Sequence, residues 1–142
     1  CKMKPGFKNR EYTMKNEIEQ LYAMLSTIKD IDIRDFCITG SELKHIYGID
    51  IFEDLLIQGV NRVINDEELT FIGIKNIVLK EEYRGMNIFT NMIDSIEKSN
   101  SPIFIDDIIN NRLFPFFHKK GYINLKYHSP YGWKRCMYKL NK

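Results

Sequence analysis

The sequence predicts an α/β protein built around one mixed sheet, with a more helical N-terminal half. Three observations lead there. From residue 69 onward the patterns run strand, helix, strand, helix, strand, strand. Strands alternating with helices imply parallel pairing through a crossover, and two closing strands imply an antiparallel hairpin. The chain is 142 residues long and 44% hydrophobic, enough for one domain with a real core and too apolar for wholesale disorder.

The elements follow in order. Residues 14–28 carry Ile18, Leu21, Tyr22, Leu25 and Ile28 at helical spacing with Lys and Glu between them, which predicts an amphipathic helix. Residues 31–39 hold Ile31, Ile33, Phe36, Cys37 and Ile38 and read as a strand. Ser41, ahead of Glu42-Leu43-Lys44, has the place of a helix N-cap. Residues 50–64, with Ile51, Leu55, Val60 and Val63, are expected to form a further helix. The polar run Asn65-Asp66-Glu67-Glu68 is the one weak boundary between apolar segments.

Past that boundary, residues 69–79 are rich in Phe, Ile and Val and predict a buried strand. A polar turn over 80–86 contains Arg84-Gly85, and a helix is expected over 87–98 with Phe89, Met92, Ile93 and Ile96 on one side. Residues 102–105 predict a short strand, and 110–120 a helix stopped by Gly121. Two strands are expected over 122–127 and 134–140, joined by a turn at Ser129-Pro130-Tyr131-Gly132.

Composition excludes several functions. No stretch approaches eighteen uncharged apolar residues, so no membrane-spanning helix is expected. The net charge is +2, far from the footprint of a basic nucleic-acid binder. Cys1, Cys37 and Cys136 lack CxxC spacing, which argues against a disulfide framework or a structural zinc site and for a reducing cytoplasm. Residues 1–12 are polar and mostly basic, unlike a signal peptide.

Two segments carry chemistry. In the first, Ile77-Val78-Leu79-Lys80-Glu81-Glu82-Tyr83-Arg84-Gly85-Met86-Asn87-Ile88-Phe89, a strand enters a tight turn that opens into a helix. Free N–H groups at a helix start suit a phosphate or pyrophosphate. Arg84 adds a cation and Gly85 lets the backbone approach closely. A purely structural strand–turn–helix is the plainer reading of that segment alone. The second segment runs from Asn110 through Phe114, Phe116, Phe117 and His118 to Gly121-Tyr122. Its asparagines can cap a helix and its aromatics can be core.

Taken together and in this order, the two segments resemble the GNAT family of N-acetyltransferases. That family joins a strand to V-x-P-x-Y-R-G-x-G-x-G and later carries N-x-x-A-x-x-x-Y-x-x-x-G-F. Leu79 takes the Val place and Tyr83-Arg84-Gly85 matches directly, while Asn110, Gly121 and Tyr122 fall in register with the second pattern. The resemblance covers about half the chain, from residue 69 on, with no match for the family's first strands in 31–68. Both later glycines of the loop are absent, and Asn87, tolerant of a left-handed backbone, is expected to keep the geometry. The family's leaving-group Tyr falls at Phe117, and Lys75 and Asn76 stand near the place of its strand Glu.

The resemblance implies a GNAT-like core that takes acetyl-CoA as cosubstrate and passes its acetyl group to an amine by direct attack. It puts the thioester near Ile77 and Leu79 and the pyrophosphate on Arg84, Gly85, Met86, Asn87, Ile88 and Phe89. Asn110 then touches the pantetheine arm, and Phe117 lies beside the cofactor. Candidates for catalysis are Asp106, at the end of the strand beside the acetyl site, and His128, on the hairpin that lines the acceptor side in that family. Asp106-Asp107 read otherwise as a solvated loop pair, and His128 as an incidental surface residue. Tyr127, Tyr131 and Trp133 form either an acceptor wall or packing on the core. His118 lies about 100° around the helix from Phe117, and Cys136 reads as a buried strand residue. The acceptor is an amine of open class, a homodimer is compatible, and neither membrane nor nucleic acid is indicated. The alternative is a module that kept the cofactor fold and lost catalysis.

Overall fold

A computed structural model describes residues 7–30, 32–106, 108 and 111–140. Helix α1, Phe7–Ser26, runs into a 3-10 turn, Thr27–Asp30, and buries Leu21, Leu25 and Ile28. A second 3-10 turn, Ile33–Asp35, is capped by the Asp32 side chain, which accepts from the Arg34 N–H. It occupies part of the segment expected to be strand, so β1 shortens to Cys37–Thr39. Helix α2, Gly40–Tyr47, is capped by Thr39 rather than Ser41, with the Thr39 Oγ1 accepting from Glu42 N at 3.1 Å.

The expectation of a helix over 50–64, and with it a mostly helical N-terminal half, is corrected. Phe52–Ile64 is strand β2, thirteen residues long, paired antiparallel with β3, Glu67–Leu79. The expected boundary at 65–68 is the turn of this hairpin. Asn65 and Asp66 both have positive φ, 51° and 65°, the handedness a two-residue hairpin turn requires. The apolar positions of β2 mimic a helix for a physical reason. Phe52, Leu55 and Ile57 join one hydrophobic cluster, whereas Val60 and Ile64 join another on the opposite face. An extra residue at Glu53 also breaks the period of two.

The second half follows the sequence closely. Helix α3 is Ile88–Glu97, β4 is Ile103–Ile105, α4 is Leu113–Lys119, β5 is Ile123–Ser129 and β6 is Gly132–Lys139. The sheet is mixed, in the order β1-β2-β3-β4-β6-β5, with β3 and β4 parallel and every other pair antiparallel. Its main core lies on the face of Ile57, Ile72, Ile74, Ile103, Ile105 and Met137. Among the described residues, the helices bury side chains only there: Leu21 and Leu25, Leu43, Met92 with Ile93 and Ile96, and Phe117. Each such side chain contributes about 1.5–3 kcal/mol of burial. No described helix is long and apolar enough to cross a membrane.

Candidate functional site

Three register pairs, Ile72–Ile74 against Ile103–Ile105, hold β3 to β4. Then the two strands part. The Asp106 N–H still reaches the Ile74 carbonyl (3.0 Å), but the Ile108 N–H donates to Arg135 of β6 at 2.7 Å. β3 runs on to Leu79 beside β2, and among the described residues no strand pairs with its other edge beyond Ile74. The parting coincides with a β-bulge: Leu56 faces Asn76 while Ile57 faces Ile74, so Lys75 is the extra residue. A bulge bends and twists its strand. The result is an opening in the ladder, where no described strand pairs with that edge of 75–79.

The turn after β3 sits at the end of this opening. A 3-10 turn, Glu81–Tyr83, buries Tyr83, whose hydroxyl donates to the Glu17 carboxylate of α1 at 3.0 Å. Arg84 folds back and donates from Nε and a terminal nitrogen to the Leu79 carbonyl, at 3.3 and 3.2 Å. Gly85 has φ 78°, and Asn87, the N-cap of α3, is left-handed at φ 57° with no side-chain cap bond. The expectation that Asn87 holds a left-handed backbone is met. Among the described residues no acceptor takes the N–H groups of 85–89, so a helix start with unspent donors faces the loop. Met86 is exposed and Ile88 buried, while Phe89 packs on Phe116 and Phe117. Ile77 and Leu79 pack partly against the main core.

Other candidates lie elsewhere. Phe117, expected beside the cofactor, has 0% exposure and is ringed by Phe89, Phe116 and Tyr122. It is core, because α4 turns that face onto the sheet. Tyr122, the Tyr that stands for Phe in the second pattern, is buried with its hydroxyl on Glu97 at 3.1 Å. Burial first, and the Glu97 charge next, raise its pKa well above the phenol range.

Asp106 is not a solvated loop residue. At 9% exposure it is held by Arg62 at 3.5 Å and Lys75 at 3.9 Å, and the Cys136 thiol donates to its other oxygen at 3.6 Å. These partners come from three other strands, so no local pattern announced them. His128 is exposed at the hairpin end, edge-on to Trp133 with ring centroids 4.9 Å apart. No described contact joins it to Asp106 or to the 84–89 loop. Tyr131 and Trp133 point outward, at 96% and 70% exposure, rather than packing on the core. His118 is exposed and Cys136 buried. Asn110, Asp107 and the Tyr127 side chain lie outside the described residues.

One feature had no sequence signal. An open cavity of about 640 Å³ lies between the start of α2 and β2, reaching Asn76 beside the bulge and Lys80 before the loop. Its lining comes from four separated segments. Among the described residues no group of His, Cys, Asp and Glu is placed to hold a metal ion. Compared with family models, with curated proteins and with solved structures, the chain matches none.

Proposed function

We propose that this protein binds acetyl-CoA and transfers its acetyl group to an amine. The observation that carries the reading is the parting of β3 from β4 at the Lys75 bulge, directly upstream of a helix start with unspent N–H donors. The edge of 75–79, which no described strand pairs, offers N–H and C=O groups to the amides of an extended pantetheine arm, as an added strand would. The 84–89 loop offers backbone donors and the Arg84 charge to a pyrophosphate. The ordered pair of sequence segments supports the same ligand. In the transfer, the amine nitrogen forms its bond to the thioester carbon, the C–S bond breaks, and the thiolate leaves. The nitrogen sheds one proton, which balances the thiol finally formed.

Acetyl-CoA is expected to bind in the micromolar range, about 8 kcal/mol. Arg84→Ala is expected to weaken CoA by about tenfold while sparing pantetheine, which lacks the phosphates. Calorimetry giving no heat with CoA or acetyl-CoA at two temperatures, on folded protein, would sink the reading. A binding module without turnover is favoured by one arrangement: Phe117 has no proton to give, and Asp106 is engaged by two cations. Acetyl-CoA binding with no thiol release on any amine would decide for the module.

A further inference from the structure

The cavity beside α2 reaches the same stretch of β3 as the proposed thioester site. Its floor includes Leu56 and Asn76, paired across β2 and β3 next to the Lys75 bulge, and its rim includes Ser41 of α2. Three carboxylates line it, from Asp50, Glu53 and Asp54, along with Lys44, His45 and Lys80. Asp50 is already matched by Lys80, at 2.7 Å. The Glu53 and Asp54 carboxylates make no hydrogen bond or ion pair with another described residue. Neighbouring residues of a regular strand point to opposite faces. Here the extra residue at Glu53 breaks the alternation, and both residues line the cavity.

We infer that this cavity receives the acceptor, and that the acceptor is an amine carrying a second positive charge. The inference rests on the transferase reading above. An alkyl amine near neutral pH is an ammonium, as lysine is, and the attacking nitrogen must lose that proton before it can bond to carbon. A second ammonium keeps its charge and meets Glu53 and Asp54, whose charge-assisted hydrogen bonds hold the molecule while its other end enters the opening at Asn76. Lys44 offsets one of these carboxylates, so the lining keeps a net negative charge when His45 is neutral. An acceptor with a single charge loses it when its nitrogen is deprotonated for attack, so it keeps no ion pair with Glu53 and Asp54 in the reacting state. The cavity therefore selects diamines and peptides with adjacent basic groups over simple amines.

Two probes of equal length test this: cadaverine, with two ammonium groups, and pentylamine, with one. Calorimetry on the full chain is expected to give cadaverine at least a tenfold tighter Kd than pentylamine. Glu53→Gln with Asp54→Asn is expected to erase the preference and leave acetyl-CoA affinity unchanged. Ser41→Trp, an exposed position that puts a large side chain into the cavity, is expected to abolish binding of both probes with the unfolding midpoint retained. No preference in the parent protein, or a preference that survives both variants, overturns the assignment. Acetyl-CoA binding is measured separately. Its absence, with the diamine preference intact and dependent on Glu53 and Asp54, defeats the transferase reading alone and leaves a diammonium site.

Discussion

Tyr83 ties the turn ahead of the 84–89 loop to the first helix. It is 6% exposed, and the Glu17 carboxylate that accepts from its hydroxyl also accepts from the Asp50 N–H at 3.3 Å. Burial, and then the hydrogen bond to Glu17, push the Tyr83 phenol from 10.0 up to about 12. The folded state thus holds this proton where the unfolded chain has lost it. Its stabilisation is complete below pH about 10 and is lost as pH rises through about 12. The urea midpoint is therefore expected to fall across that window, and Tyr83→Phe to flatten part of the fall. Tyr122, also raised, titrates on the same alkaline side, so the comparison is best made in a Tyr122→Phe background. A slope unchanged by Tyr83→Phe there would refute the assignment. At this scale the loop was legible, because Gly85 and Asn87 announce left-handed backbone by their residue types. Phe117 was not: pattern alignment gives a position, and only packing decides that its ring belongs to the core.

The β2–β3 hairpin is the element least visible in the sequence and the most extended in the molecule. Its turn holds Asp66 at φ 65°. A residue with a Cβ is strained there by about 1–2 kcal/mol, somewhat less for Asp, whereas Gly is free to adopt the conformation. Replacing Asp66 by Gly costs chain entropy in exchange, so Asp66→Gly is expected to stabilise by a net of about 0.5 kcal/mol. A lowered midpoint in thermal unfolding would count against this turn. The strand was misread because its apolar residues serve two faces and the bulge shifts their phase. α1 and α3, with one apolar face each and no such interruption, were read correctly apart from their ends. β1 was overextended for a third reason: the Asp32 side chain bonds its own backbone nearby and favours a 3-10 turn over a strand.

At the scale of the whole molecule, the 33–36 turn of the N-terminal segment rests on the sheet at a glycine. The Gly59 N–H donates to the Phe36 carbonyl at 2.9 Å, and a Cβ at Gly59 would stand 1.8 Å from the Ile33 carbonyl oxygen. That neighbour is backbone and cannot rotate away. Gly59→Ala is expected to cost about 3 kcal/mol or more, at the upper end of overpacking, and to lower Tm by several degrees. An unchanged Tm would mean that the 33–35 turn does not rest on β2. In the second half the crossover and the closing hairpin were legible, but not that β6 rather than β5 lies beside β4. The first half was hidden because its strands are defined by partners far along the chain.

The sheet order has a mechanical consequence. Two hairpins, β2–β3 and β5–β6, are each closed by a short turn and paired along most of their length. Among the described residues the one strand that joins them is β4, three residues long. In backbone hydrogen bonding the described sheet is two long plates joined by a narrow strip. Thermal motion that strains either plate must break a long ladder, whereas motion about β4 disturbs few bonds.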